Sequence, residues 1–308
     1  MEKPYEVPIL YTVFNRLDLV KRTFQEIKKI KPKQLFIEAD GPRNKEEKIK
    51  TDSVRKYISE NINWKCDVRT LFRPKNIGSH LATLGAVNWF FKNVKMGIIL
   101  EDDDLAAQDF FKYCQELLER YKKVPNVMSI CGYNPLKFTN LNESYYLSKN
   151  LGIWGWASWR DRWQKRNKCL GIFEKDEKSG EFKKMIKNPI ERMIMRKRFQ
   201  SSLGGTIKDW TYSFLYIHLK NKGICIKPKN NLIENIGFGK DATRTSPNFI
   251  DNKFYSVPIS KLKFPLIHPK EIEIDKKISR KELNFEVKRI IFKKILTFLH
   301  IIKYKYNT

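Results

Sequence analysis

The first part of the chain alternates short apolar runs with longer segments of helical periodicity. Strands are predicted at residues 7–13, 34–39, 66–72 and 96–100, and the last of these is an apolar run typical of a buried strand. Segments with the apolar spacing of amphipathic helices occupy residues 17–30, 45–59 and 80–92. Strands and helices that alternate over short connections predict a mostly parallel sheet flanked by helices on both faces. The pattern therefore predicts an α/β, Rossmann-like fold.

The second half of the chain is less regular. Its predicted elements are a helix at residues 109–122, strands at 127–131, 145–147 and 224–227, and a helix from about Asp209 to residue 221. Residues 174–200 are charged and helical in spacing, which suggests an insertion. At 308 residues the chain is long enough for one large domain with appendages.

Polar side chains follow successive predicted strands where each strand ends. Asn15 and Arg16 follow the first strand, Asp40 the second and Asn76 the third, and four consecutive acids, residues 101–104, follow the fourth. The carboxyl ends of parallel strands lie at one edge of a sheet, where open α/β folds bind their ligands. We therefore expect these side chains to meet in one crevice.

The four acids are the strongest chemical signal in the sequence. Adjacent carboxylates repel one another, so such a cluster at the end of a buried strand favours a bound cation. Mg²⁺ and Mn²⁺ prefer oxygen ligands and often link one or two carboxylates to a substrate phosphate. The alternative is a solvated acidic turn before the next helix. The strand-end position favours a metal–phosphate site.

Composition and charge narrow the class of protein. Hydrophobic residues make up 41% of the chain, which excludes a disordered protein. The net charge of +27 reflects either a composition bias toward Lys or a polyanionic partner. No nucleic-acid-binding motif accompanies the charge. A membrane surface or a phosphorylated ligand is therefore a better candidate partner than nucleic acid, and binding of nucleic acid is not expected. The G-x-G-x-x-G and P-loop motifs are also absent from the sequence.

The cysteines and the amino terminus bear on location. The five cysteines are widely spaced without a C-x-x-C pair, which indicates a reduced, cytosolic chain without structural zinc. No apolar targeting segment opens the sequence, and no run reaches the roughly 18 apolar residues of a spanning helix. We expect a cytoplasmic protein, with the inner face of the cytoplasmic membrane as a possible site.

A tryptophan-rich segment lies at residues 151–163. Trp154, Trp156, Trp159 and Trp163 alternate there with Gly152 and Gly155. The indoles are either core residues or a platform for sugar rings, and the glycines would let a ligand approach the backbone.

Taken together and in order, these pieces resemble GT-A fold glycosyltransferases, and most closely bacterial enzymes similar to N-acetylglucosaminyltransferase I. The resemblance covers residues 7–245 and lies in PILYTVFNRLDL (8–19), EADGPR (38–43), residues 76–91 ending in AVNWFF, ILEDDDLAAQDFF (99–111), WGWASW, Lys208-Asp209-Trp210 and NIGFGKDATRT. It implies a catalytic domain at residues 1–260, with a nucleotide-binding half to about 125, an acceptor-binding half from 126, and a basic tail at 261–308.

The resemblance also implies roles for individual residues. Glu101-Asp102-Asp103 matches a variant of the D-x-D motif, in which Asp103 ligates Mn²⁺ or Mg²⁺ and Glu101 and Asp102 help to hold the nucleotide ribose. The remaining implied residues are Arg16, Asp40, Asn76 and His80 at the nucleotide, Asp209 as catalytic base, and Trp154, Gly155, Trp156 and Arg244 around the acceptor. Arg244 stands where many relatives carry His, and its guanidinium is suited to phosphate.

The resulting hypothesis is a metal-dependent inverting glycosyltransferase. It would move a sugar from a nucleoside diphosphate, with UDP as the family default, to a glycan or glycolipid hydroxyl in bacterial surface polysaccharide synthesis. One alternative is a sugar-nucleotide nucleotidylyltransferase, which is expected to carry a Gly-rich triphosphate loop near the first strand, whereas residues 11–17 have no glycine. The other is a non-enzymatic basic protein that binds membrane or nucleic acid.

The tail from residue 285 has helical amphipathicity outside the resemblance. Its polar positions are Glu286, Arg289, Lys293, Thr297, His300 and Lys303, and its apolar positions are Val287, Ile291, Ile295, Phe298, Leu299 and Ile302. Two interpretations stay open: a helix docked on the catalytic domain, or an interfacial helix whose apolar side enters an anionic membrane surface.

Overall fold

The computed structural model describes residues 5–136, 141–168, 172–203, 210–238 and 256–298. The strands are β1 (Ile9–Val13), β2 (Gln34–Ala39), β3 (Asp67–Phe72), β4 (Met96–Glu101), β5 (Asp104–Ala106), β6 (Val127–Cys131), β7 (Tyr145–Ser148), β8 (Trp156–Trp159), β9 (Ile224–Pro228) and β10 (Ile233–Asn235).

The helices follow the predicted pattern over most of the chain. They are α1 (Leu17–Ile30), α2 (Lys45–Asn61), α3 (Ser79–Asn93), α4 (Gln108–Tyr121), α5 (Arg160–Gln164), α6 (Ile172–Lys178), α7 (Glu181–Met185), α8 (Pro189–Leu203), α9 (Trp210–Lys220) and α10 (Lys276–Phe298), with a 3₁₀ turn at Lys165–Lys168. Asn44 begins α2 by accepting the Glu47 N–H, as a polar N-cap should.

The central sheet has eight strands in the order β3-β2-β1-β4-β8-β6-β9-β7. Neighbouring strands from β3 to β4 are parallel, as are β6 and β9, whereas β8 is antiparallel to both β4 and β6 and β7 is antiparallel to β9. The predicted α/β fold with a mostly parallel, helix-flanked sheet is therefore confirmed. Continuous apolar runs form the inner strands β1 and β4 because the sheet is covered on both faces there, whereas the edge strand β3 is mostly exposed.

Helices cover the two faces of the sheet with separate cores. On one face, Val20 and Phe24 of α1 pack in a core with Phe110 and Leu117 of α4. On the other face, α3 and α9 pack with the helices α6 to α8, which contribute Phe173, Phe182 and Phe199 to an aromatic cluster. Residues 174–200, suggested to be an insertion, thus form part of the second core.

Strand β8 is the main element that the sequence pattern did not predict. It is the Trp-Ala-Ser-Trp stretch, inserted between β4 and β6. Successive side chains of a strand point to opposite faces, so Trp159 lies in the first core and Trp156 in the second. A smaller antiparallel sheet pairs β5 with β10 and sets Asp104 opposite Asn235.

The described part of the tail forms α10, which docks on the domain. Asp275 caps its amino terminus by accepting the Ile278 N–H. Glu282, which is 5% exposed, accepts hydrogen bonds from Lys227 Nζ (2.6 Å), Ser148 Oγ (2.6 Å) and Asn150 Nδ2 (2.9 Å). A docked helix is therefore what the structure shows for residues 276–298.

Charged residues make many of the contacts by which α10 docks. Glu286 faces the body and pairs with Arg198 and Arg289, whereas Ile291 and Ile295 are 51% and 49% exposed. Across the described residues, no helix is both long enough and apolar enough to cross a membrane.

The docking of α10 predicts a stability effect. Glu282→Ala leaves the Lys227 ammonium buried without its carboxylate, so the free energy of unfolding should fall by about 3–5 kcal/mol in urea titrations. Glu271→Ala, at an exposed position, should change it little. The double variant Lys227→Met/Glu282→Leu removes both charges and should recover much of the loss. An unchanged stability for Glu282→Ala would contradict the docked position.

Candidate functional site

A cavity of about 680 Å³ opens at the carboxyl ends of β1, β2 and β4. It contains most of the polar residues that the strand ends predicted, so their convergence is confirmed. The lining includes Arg16, Glu38, Asp40, Arg43, Asn76, Glu101, Asp102, Asp103, Trp154, Trp210 and Asn235.

Arg16 holds the acidic turn together. It precedes α1, and its guanidinium pairs with the Asp102 carboxylate and donates through Nη2 to Asp103 Oδ2 at 3.0 Å. Burial lowers the pKa of Arg16, but the two carboxylates outweigh this effect and raise it, so Arg16 stays charged. Burial raises the pKa of Asp102 to about 6 against the opposing pull of Arg16.

The fourth acid, Asp104, has a structural position. Its side chain is 1% exposed, and Oδ2 accepts the backbone N–H groups of Glu101 (3.1 Å) and Gly155 (2.9 Å). Burial first, and then the charges of Asp103 and Glu101, raise its pKa well above the ordinary value. Asp104 therefore ties the acidic turn to the tryptophan-rich segment and does not line the cavity.

Asp40 organises two loops at once. Its carboxylate accepts the backbone N–H groups of Gly41 (2.8 Å), Ile77 (3.1 Å) and Gly78 (3.1 Å), and the side-chain amide of Asn76 (3.0 Å). The loop after β2 is thereby joined to the loop after β3. Asp40 and Asn76 thus act together, as a preformed polar wall of the cavity.

An ion pair beside this wall was not predicted from the sequence. Glu38 is 2% exposed and accepts from Arg73 Nε at 3.1 Å. Burial raises the pKa of Glu38 to about 7, although Arg73 pulls it down. Glu38 lies inside the apolar run of β2. Its ion pair could have been predicted only from the pairing of β2 with β3, which Arg73 follows.

The floor of the cavity brings residues 235–237 against the acids. The Ile236 N–H donates to the Asp103 carbonyl at 2.9 Å, and Asn235 Oδ1 accepts the Gly237 N–H at 3.0 Å. A side chain at position 237 would place its Cβ only 2.2 Å from Asp103 Oδ2. A side chain at this position would therefore displace the Asp103 carboxylate, and glycine avoids that contact.

The tryptophan-rich segment is divided between cavity and core. Trp154 lines the cavity and packs edge-on against Tyr133 and Phe238. Trp156 is 1% exposed and stacks on Trp210. The expectation that the Trp156 indole contacts an acceptor is therefore corrected, since the second core encloses it. Gly155 has a positive φ of 50° between the two, where a Cβ would meet Ile233.

Three further predicted site residues are not among the described residues that line the cavity. His80 is half-buried in the first turn of α3 and is not among the described residues that line the cavity, although its neighbours Gly78 and Ser79 are. Asp209 and Arg244 lie outside the described residues. Asp209 directly precedes Trp210, which lines the cavity.

The carboxylates of this cavity suit a metal that is shared with a phosphate. Within the described ranges, no three His, Cys, Asp or Glu side chains are grouped to hold a metal ion by themselves. Glu101 and Asp103 nevertheless line the cavity. Mg²⁺ typically takes one or two carboxylates and completes its coordination with water and substrate phosphate. The donor set therefore fits an ion that arrives with a phosphorylated ligand.

Comparison with known proteins gives a weak structural likeness. No protein-family model matches the chain, and no curated protein matches its sequence. An apo UDP-glucose pyrophosphorylase is similar over 74% of this chain and 93% of its own, with a TM-score of 0.36 and 10% identity. The 4-diphosphocytidyl-2C-methyl-D-erythritol synthase of Anaerococcus prevotii is similar over 53% of this chain and 74% of its own, with a TM-score of 0.33 and 9% identity. These scores are too low to assign a function.

The Glu38 pKa predicts a pH dependence of stability. Its value of about 7 in the folded protein lies above the ordinary 4.5, so the folded state holds the proton more tightly than the unfolded state. The contribution of Glu38 to the free energy of unfolding is therefore present below pH 4.5 and is lost as the pH rises through 7. The loss is at most about 3 kcal/mol. Urea titrations from pH 5 to 8 should show a flatter profile for Glu38→Gln than for wild type. Parallel profiles would contradict this assignment.

Proposed function

We propose that the cavity binds a nucleoside diphosphate sugar, and that the protein is a metal-dependent inverting glycosyltransferase. The observation that carries the proposal is the convergence of Asp40, Asn76 and the acidic turn in one strand-end cavity. The polar wall at Asp40 suits a base and ribose, and the acids at the opposite side suit a diphosphate with its ion.

The chain's own groups would position the donor. Asp103, with Glu101 beside it, would hold Mn²⁺ or Mg²⁺, and that ion would offset the charge on the diphosphate leaving group. Arg16 fixes the directions of Asp102 and Asp103. Glu101 and Asp102 would also contact the ribose, and Asp40 and Asn76 would lie beside the base.

The acceptor would enter from the side of Trp154. The exposed part of this indole suits the apolar face of a sugar ring, and Gly155 and Arg244 would complete that side. Asp209, beside the cavity-lining Trp210, would take the proton of the acceptor hydroxyl, since one carboxylate suffices for inversion by a single displacement. A lipid-linked glycan at the inner face of the cytoplasmic membrane is the proposed acceptor class.

A sugar-nucleotide nucleotidylyltransferase is the second candidate. The similar solved structures include a UDP-glucose pyrophosphorylase, but TM-scores below 0.5 give this likeness no weight of its own. Such an enzyme needs room and N–H donors for a triphosphate after the first strand. The connection from β1 to α1 is only residues 14–16, without glycine, and the Arg16 side chain is already engaged by the acids. This short connection favours the transferase.

A substrate test separates the candidates. The protein with Mn²⁺ is given radiolabelled UDP-sugar and glycan acceptors, or UTP with a sugar 1-phosphate. Labelled glycan with release of UDP supports the transferase, whereas pyrophosphate release with UTP would identify a nucleotidylyltransferase. Binding without turnover in either assay would favour the basic binding protein.

Asp103→Asn should lower transfer by about 100-fold or more, because a ligand of the ion is lost at the leaving group. The stabilisation of the protein by UDP and Mn²⁺ in thermal shift should disappear as well. Asp18→Asn makes the same charge change at an exposed position of α1 and should behave as wild type. Wild-type transfer by Asp103→Asn in chelator-treated buffer with added Mn²⁺ would refute the assignment.

Asp209→Asn should lower kcat by about 10²–10⁴-fold with little change in UDP affinity, since the carboxylate acts on the acceptor proton alone. Single-turnover transfer and equilibrium UDP binding, measured on the same preparation, provide the check. A parallel loss of UDP affinity would instead make Asp209 a nucleotide-contacting or structural residue.

A further inference from the structure

The solvent side of α10 carries a basic face that contains no acid. We define the outer face by its exposed residues, Lys276, Lys277, Arg280, Lys281, Asn284, Lys288, Ile291, Lys294 and Ile295. The acids in the described helix are Glu282 and Glu286, and both point to the protein body. Over the described residues both acids of the helix therefore lie on the inner face, together with Arg289, which pairs with Glu286.

The contacts of the inner face keep the outer face in place. Glu282 is held by Lys227, Ser148 and Asn150, and Glu286 by Arg198 and Arg289. Burial, which alone would raise the pKa of Glu286, is outweighed by Arg289 and Arg198, which lower it to about 2. Glu286 therefore stays ionised, and both inner acids are held by partners on the domain or the helix. Turning the outer face inward would break these contacts.

The composition of the outer face identifies its partner. Exposed lysines alone would serve any polyanion, but Ile291 and Ile295 are half exposed within the same face. A nucleic-acid surface would call for polar or aromatic side chains that reach bases. Isoleucine flanked by lysine instead matches a bilayer interface, where the apolar side chain enters the headgroup region and the ammonium groups meet lipid phosphates.

We propose that the outer face of α10 is the contact surface for an anionic lipid bilayer, with the helix lying parallel to the membrane while it remains docked on the domain. This inference rests on the membrane location proposed above and is independent of sugar transfer, because lipid binding is measured without nucleotide.

The test uses the full chain and sedimentation with vesicles made of equal parts phosphatidylglycerol and phosphatidylcholine. Lys277→Ala/Lys288→Ala/Lys294→Ala should weaken binding by about 100-fold at low salt, since each basic group near the surface contributes about fivefold. The matched control is Lys45→Ala/Lys50→Ala/Lys65→Ala, which changes the net charge equally at exposed positions elsewhere. It should bind almost as wild type.

A second pair of variants tests the apolar contribution. Ile291→Ser/Ile295→Ser should weaken vesicle binding by about tenfold or more, whereas Ile49→Ser, at a position 70% exposed on α2, should not. Circular dichroism and urea titration should show all of these variants to be folded, because the changed side chains are exposed.

Several results would overturn the proposal. Equal losses in the outer-face triple variant and in its control would show attraction by overall charge. Equal binding to vesicles by wild type and by Ile291→Ser/Ile295→Ser would show that the isoleucines do not enter the bilayer, which contradicts the proposed contact surface. Retention of a single-stranded oligonucleotide, without binding to vesicles, would reassign the face to nucleic acid.

Discussion

The repulsion among four consecutive carboxylates is the constraint around which this structure is arranged. Asp102 and Asp103 are held by the Arg16 guanidinium, and Asp104 by backbone N–H groups. These contacts fix the start of α1 and the path of the chain through Gly155. The glycine at position 237 is set by the same cluster, since the backbone there lies against Asp103. The end of β4, the start of α1 and the loops at Gly155 and Gly237 are therefore all held in place by contacts with the same acidic cluster.

The fold could be predicted where local pattern and tertiary environment agree. Strands β1 and β4 are apolar runs because the sheet buries both of their faces, and the edge strand β3, which is mostly exposed, was found from its place in the alternation of strands and helices. Strand β8 was missed because the four residues Trp-Ala-Ser-Trp are too short to show a periodic signal of their own. Its position depends on β4 and β6, which lie far away in the sequence.

The site could be predicted where chemistry follows a strand end, as at Asp40, Asn76 and residues 101–103. It could not be predicted where the role depends on a partner, as for Glu38 with Arg73 or Asp104 with Gly155. The tail shows the same limit. Amphipathicity identified the helix, but the orientation of α10 depends on Lys227 and Arg198, which make a buried carboxylate favourable on the inner face.

The place of β8 in the sheet has a consequence for synthesis on the ribosome. Strand β4 pairs with β1 on one side and awaits Trp156–Trp159 on the other, about fifty residues later in the chain. Until that stretch emerges, the nascent protein presents an apolar strand with an open edge, the feature that promotes intermolecular pairing. A chaperone that covers this edge, or a translation rate that shortens its exposure, would then decide how much protein reaches the folded state.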